Sequence, residues 1–343
     1  MPEPESRLKP NPLKVDGDAQ GARSADVSDP SFLVNRETSQ LRFFERVLEE
    51  AQDEAVPVLE RVKFLSILGS IMSEFFMVRV AGLKQQVAAG VTSRSADSLT
   101  PAEQLAAIRP MVQKLMDDSR ACFHQVLEQL RQAGMCVVDY KNLSEDQKEQ
   151  ARSYFQQNIF PVLTPLAYDP ARPFPFISNM SLNLAVIVRD EDGGESFARL
   201  KVPSTLPRLI PVSDEADATG SARESRPKLS AEGDGGGTTG NGGGVCLVWL
   251  EQVVAAYLAE LFPGVEIVEH HLFRVTRDAD IEIQELEAGD LLETVEHLVR
   301  RRRFGSVVRL VIDHGMPEYI QSILTATCWC EASVVFVRAC RCS

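Results

Sequence analysis

PVLERVKFLSILGSIMSEFFMVRVAGLKQQVAAG, residues 57–90, is the longest helical pattern in the chain, and its reading decides the fold of the first half. Leu59, Val62, Leu65, Leu68, Met72, Phe75, Val78 and Leu83 recur mostly at steps of three or four, so one face can bury while Arg61, Glu74 and Lys84 stay near water. Pro57 suits a first helical turn, where its missing N–H is no loss, and Gly90 suits the stop. Phe64 to Leu83 is nearly long enough to cross a bilayer, but it holds Glu74 and Arg79. Each would cost about 2.5–3.5 kcal/mol at mid-membrane, which favours a soluble core helix.

Outward from this helix the chain reads as helical on both sides. Residues 1–31 carry few large apolar side chains and several Pro, Asp and Ser, the composition of a disordered tail. Ser39 is placed to cap a helix whose Leu41, Phe44, Leu48 and Ala51 form one stripe, and a short acidic link joins it to the long helix as an antiparallel pair. Thr100-Pro101-Ala102-Glu103 reads as an N-cap, a first-turn proline and a capping-box acid. The helix it opens is expected to break near Pro110 and to end by Gly134. Residues 32–134 are therefore predicted to form an all-α bundle.

The periodicity changes after Gly134. Short strands are predicted at Met135–Val138, Leu182–Val188, Phe197–Val202, Val265–Val268, Leu272–Thr276, Ile281–Ile283 and Ser306–Ile312, with a glycine-bearing hairpin turn at Asp190–Glu195. Helices are predicted over Ser144–Gln157, Leu250–Leu261 and Asp290–Arg303. This mixture defines an α+β head domain over residues 135–325, interrupted by a flexible Gly-rich insertion at 213–244. The insertion's glycine run is not a phosphate loop, because Val245-Cys246-Leu247 follows where a lysine and a hydroxyl would be needed. The fold class is multidomain, a helical bundle followed by an α+β head.

With 343 residues the chain can bury more than one core, and a net charge of −13 argues against a general nucleic-acid binder while allowing a local basic pocket. The start of the chain has no apolar signal segment, so a cytoplasmic location is expected, with peripheral membrane association allowed. Cys122, Cys136 and Cys246 are scattered among apolar residues and read as small buried hydrophobes. Cys328, Cys330, Cys340 and Cys342 crowd into the last stretch, 326–343, whose change of composition reads as an aberrant, out-of-frame end rather than a zinc site.

Several strings resemble one known family. FMVRVAGLK (Phe76–Lys84) and the preceding RVLEEAQDEAVPVLERVKFL (Arg46–Leu65) resemble the N-terminal domain of polyphosphate kinase type 1. PVLTPLAYDPARPFPFISNMSLNLAV (Pro161–Val186), VPSTLPRLIPV (Val202–Val212), FRVTRDADIEI (Phe273–Ile283), RRRRFG (Arg300–Gly305), VRL (Val308–Leu310) and MPE (Met316–Glu318) resemble its head domain.

The resemblance implies a kinase that reversibly moves the γ-phosphoryl group of ATP onto polyphosphate through a phosphohistidine, with magnesium. It also implies a head domain used in oligomer contacts, and a catalytic half that lies C-terminal to the region matched here. The expectation is thus a truncated transferase, inactive alone, that forms a homo-oligomer. The alternative is a non-catalytic partner pairing with a full-length kinase subunit.

Within the resemblance, Ile71 stands where the family's ATP-contacting asparagine is expected, and Ser73 where it has an acid. Isoleucine has neither donor nor acceptor, so nucleotide contact there is expected to be lost. No catalytic residue and no metal ligand is assigned. His124, His270, His271, His297 and His314 stand outside the family's active-site context, and Arg300–Arg303 reads as a helix C-terminal cluster, with a contact to polyphosphate or to a partner subunit as the alternative.

Overall fold

The computed structural model describes residues 32–167, 176–213, 245–279, 305–328 and 335–338. The expected tail at 1–31, nearly all of the glycine-rich insertion, the strand at 281–283, the helix at 290–303 with its arginines, His297, and Cys330, Cys340 and Cys342 lie outside those residues.

Helix α1 (Arg36–Gln52) begins at Asn35, whose side-chain oxygen accepts the N–H groups of Glu37 and Thr38. The cap is thus Asn35 and not Ser39, which lies inside the first turn; asparagine satisfies orphan N–H groups as well as serine does. Leu41, Phe44, Leu48 and Ala51 are buried on one stripe, as their spacing predicts. They pack on α2 (Val58–Phe75) and on α4 (Pro101–Gln132). Thr100 and Glu103 form the reciprocal capping box, but α4 runs through Pro110 without ending. Buried Ile108 and Val112 anchor both sides of that proline, so packing outweighs one lost backbone hydrogen bond.

The long helix is not uninterrupted. Phe76–Val80 form a π-helical turn between α2 and α3 (Ala81–Ala88), and Gly90 closes the run at φ +69°. One extra residue in the turn shifts the helix phase, so burial moves from Leu68, Met72 and Phe75 to Phe76, Val80, Ala81 and Leu83. Leu59 and Val62, predicted for the core stripe, are exposed. Arg61, predicted near water, is buried, donating from Nε to the Ala51 carbonyl at 2.6 Å and from Nη1 to Gln129 at 2.6 Å. The Ala51 carbonyl is one of the unsatisfied acceptors at the end of α1, and a cation suits that end of a helix. The run from Val58 to Ala88 is long and apolar enough to span a membrane by composition, yet here it packs within the helical bundle.

The second unit holds two sheets. In the smaller, β1 (Met135–Val138) pairs parallel with β6 (Val245–Trp249), which pairs antiparallel with β5 (Leu209–Val212). The larger has the order β2 (Leu166–Ala167), β4 (Glu195–Lys201), β3 (Leu182–Arg189), β7 (Glu266–Arg277), β8 (Val307–Asp313), β9 (Val335–Arg338). All its pairs are antiparallel except β8 with β9. The β3–β4 hairpin turns at Gly193, whose φ of +81° a side chain would strain. The two stretches predicted as separate strands at 265–268 and 272–276 are one strand, β7.

Strand β3 reads as a continuous apolar run because both of its faces are covered. Leu184, Val186 and Val188 join a core with α5 (Glu145–Tyr154), α6 (Leu250–Ala256) and α7 (Leu258–Leu261). Ala185 and Ile187 join another with Phe273, Val275 and the last helix, α8 (Glu318–Cys328). The predicted helix at 250–261 breaks at Tyr257 into α6 and α7. Residues 326–328 complete α8 and 335–338 add a strand to the sheet, so part of the stretch expected as an aberrant end is built into the fold. Cys136 and Cys246 are not isolated thiols. They oppose each other in the β1–β6 register and form a disulfide across 4.8 Å between Cα atoms.

A candidate anion cavity at the seam of the two units

The helical bundle docks on β7 and β8 through its π-helical turn. Met77 offers its carbonyl to the Ala279 N–H at 3.0 Å, and Asn179 approaches the Met77 sulfur at 3.3 Å. Gln85 on α3 donates to Asp278 at 2.5 Å, and Val308 of β8 enters the bundle's own core. Gly305 is needed for another reason than ending a helix: a Cβ there would sit 2.1 Å from the Asp278 carbonyl oxygen.

This docking leaves a cavity of about 1000 Å³. On the bundle side it is walled by Val62, Leu65, Leu68 and Met72 of α2 and by Leu115, Met116 and Phe123 of α4. Val62 thus faces the seam rather than the bundle core, while Leu65 packs against that core and also reaches the cavity. On the head side β4, β7 and β8 supply Lys201, Arg274, Thr276 and Arg309, and Arg208 lies just ahead of β5. Arg120 of α4 is a fifth cation, and several serines add hydroxyls. None of the described lining residues is Asp or Glu.

The strand register explains the cluster. Arg274 lies opposite Val311 and Thr276 opposite Arg309 across the β7–β8 ladder, so period two puts all four on one face. Arg309 is buried, with its guanidinium 4.5 Å from the centre of the Phe76 ring and its Nη2 2.9 Å from the Met116 sulfur. Burial, and secondarily the neighbouring Arg274, push its pKa down to about 10. Arg120 and Arg208 are held by carboxylates outside the lining, Asp117 at 3.0 Å and Glu251 at 2.8 Å.

Ile71 is not in this lining. It is partly buried against the bundle core, while its neighbours Met72 and Ser73 reach the cavity and the Ser73 hydroxyl donates to the Gly69 carbonyl at 2.8 Å. The described histidines also lie elsewhere. His124 and His314 are exposed, His270 sits in β7 with its pKa lowered by burial, and His271 pairs with Glu269 at 2.8 Å. Sequence reasoning missed the cavity cations, although Arg274 and Arg309 stand inside the strings FRVTRDADIEI and VRL. Their convergence needed the β7–β8 pairing, which no local pattern contains.

The seam unites two segments with known relatives. The polyphosphate kinase N-terminal domain profile matches residues 33–138, and the polyphosphate kinase middle domain profile matches residues 146–339. The chain belongs to the polyphosphate kinase family. It is 48% identical over 303 residues to a polyphosphate kinase of Prosthecochloris aestuarii, covering 87% of this chain and 40% of that protein. With the polyphosphate kinase of Synechocystis it shares 47% over 306 residues, covering 88% and 40%. The crystal structure of polyphosphate kinase from Porphyromonas gingivalis superposes with a TM-score of 0.65 at 26% identity, covering 89% of this chain and 39% of that one. The chain thus spans about 40% of the length of these relatives. The middle-domain profile runs past residue 325, consistent with the strand at 335–338.

Proposed function

We propose that these residues are the substrate-holding N-terminal and middle portion of a polyphosphate kinase, and that they do not by themselves carry phosphoryl transfer from ATP to polyphosphate. The observation that supports this reading is the seam cavity, which gathers cations that attract phosphate but has no histidine among its described lining residues. Phosphoryl transfer through a covalent intermediate needs a nucleophile poised among such cations. The cavity's donors also do not suit the magnesium that the family uses, since a hard cation needs carboxylate or carbonyl oxygens and Arg and Lys repel it. Ile71, without donor or acceptor, is read as a weakened nucleotide contact.

Incubating the purified chain with γ-labelled ATP, magnesium and a polyphosphate primer tests this. The expected result is no label on the protein and no primer extension. Covalent phosphate on this chain, stable to alkali and labile to acid as phosphohistidine is, would overturn the proposal.

A further inference from the structure

We propose that Cys136 and Cys246 are a reversible redox lock, closed by exchange with a small disulfide such as oxidised glutathione, that sets how firmly α4 of the bundle is held against the head.

Two connections place the pair at the joint between the units. Only Ala133 and Gly134 separate the end of α4 from β1. Met135 packs on the bundle core, whereas Cys136 and Val138 pack on the head core, so the chain crosses from one unit to the other within β1. The partner strand β6 reaches the same helix from both of its own ends. The Val245 N–H donates to the Gly134 carbonyl at 3.0 Å, and the Trp249 ring centre lies 6.4 Å from that of Phe123 on α4. Phe123 is in turn part of the bundle wall of the seam cavity. Cys136 and Cys246 face each other between these contacts, in the second of the four register pairs that join β1 to β6. A bond there keeps the two strands from parting and so holds α4 on the head. With two thiols, a short parallel ladder has to do this alone, and parallel pairing is the weaker kind per residue.

The pair is accessible enough to exchange. Cys136 is half-buried and Val245, beside the buried Cys246, is exposed, so a small thiol or disulfide can reach Cys136 first. The Cys136 thiolate attacks one sulfur of the small disulfide, forming a mixed disulfide and expelling one thiolate. Cys246 Sγ then attacks Cys136 Sγ, which forms the protein disulfide and expels the second thiolate. The two protons from the protein thiols go to the two released thiolates, and the two electrons lost by the pair reduce the small disulfide. Excess reduced glutathione reverses both steps. Opening the bond does not require the head to unfold, because Val248 stays in its core and β6 keeps its antiparallel pairing with β5. Cys122 is a free thiol buried against the Ala51 carbonyl, out of reach of the exchange.

The lock is independent of transferase activity and is read without it. The full chain is equilibrated in glutathione buffers from reducing to oxidising, its thiols are trapped with iodoacetamide, and its peptides are mapped by mass spectrometry. Cys136 and Cys246 are expected to convert together between thiols and disulfide across that range. Hydrogen exchange on the same samples reads the joint: amides of residues 123–138 and of β6 should exchange about tenfold faster when reduced, with those of β3 and β4 unchanged. Cys136→Ser should exchange at the reduced rate in every buffer, and if that variant does not fold the two states of the parent still decide the matter. A disulfide that persists in excess reduced glutathione, thiols that persist in oxidised glutathione, equal exchange in the two states, or a folded Cys136→Ser chain that exchanges at the oxidised rate would each overturn the proposal.

Discussion

Arg61 shows how a single residue escapes a periodic reading. In the pattern of α2 it occupies a water-facing slot, yet only 2% of it is exposed. Its guanidinium closes the end of α1 by binding the Ala51 carbonyl, which also accepts from the Cys122 thiol at 3.3 Å. Burial pushes that thiol's pKa up, with Arg61 partly offsetting the shift. Arg61→Ala would leave the carbonyl and Gln129 short of a buried donor, and we expect a loss of about 2–4 kcal/mol. Urea unfolding followed by far-ultraviolet circular dichroism measures it, and a shift below half that range would assign Arg61 a packing role only.

At the scale of elements, two departures from regular helix have opposite meanings. The π-helical turn at Phe76–Val80 is useful, since it rephases the helix and presents the Met77 carbonyl to the head. Pro110 is a local flaw that packing overrides: it is exposed in the middle of α4 and deprives the helix of one N–H. Pro110→Ala should therefore stabilise the chain by about 1–3 kcal/mol, read as a higher urea midpoint. A drop in the midpoint would mean that α4 needs the bend that proline brings. Capping residues and apolar stripes made most helices legible, because those signals act within a turn or two. Neither the π-turn nor the survival of α4 through Pro110 has such a local signal.

At the scale of the whole molecule, the π-turn docking ties the two units, while the β1–β6 pairing and the Cys136–Cys246 disulfide join distant parts of the second unit. The disulfide joins residues 110 positions apart. Closing a loop of that length restricts the unfolded chain enough to stabilise the fold by roughly 4–5 kcal/mol when oxidised. A Cys136→Ser variant should unfold at lower urea than the parent without reductant, and the gap should narrow with reductant present. Equal midpoints without reductant would show that the pair stays as thiols.

The sequence by itself determined the division into a helical bundle and an α+β unit, the cap at Thr100, the buried stripe of α1 and the β3–β4 hairpin. Each of these depends on residues within a few positions of one another, so spacing and side-chain chemistry suffice. Only the tertiary structure decided that Arg61 is internal, that Cys136 meets Cys246, and that Arg274, Arg309, Lys201 and the α2–α4 wall surround one cavity while Ile71 lies outside its lining. Those outcomes depend on strand register and on how two units dock, and both are set by contacts between residues far apart in the chain.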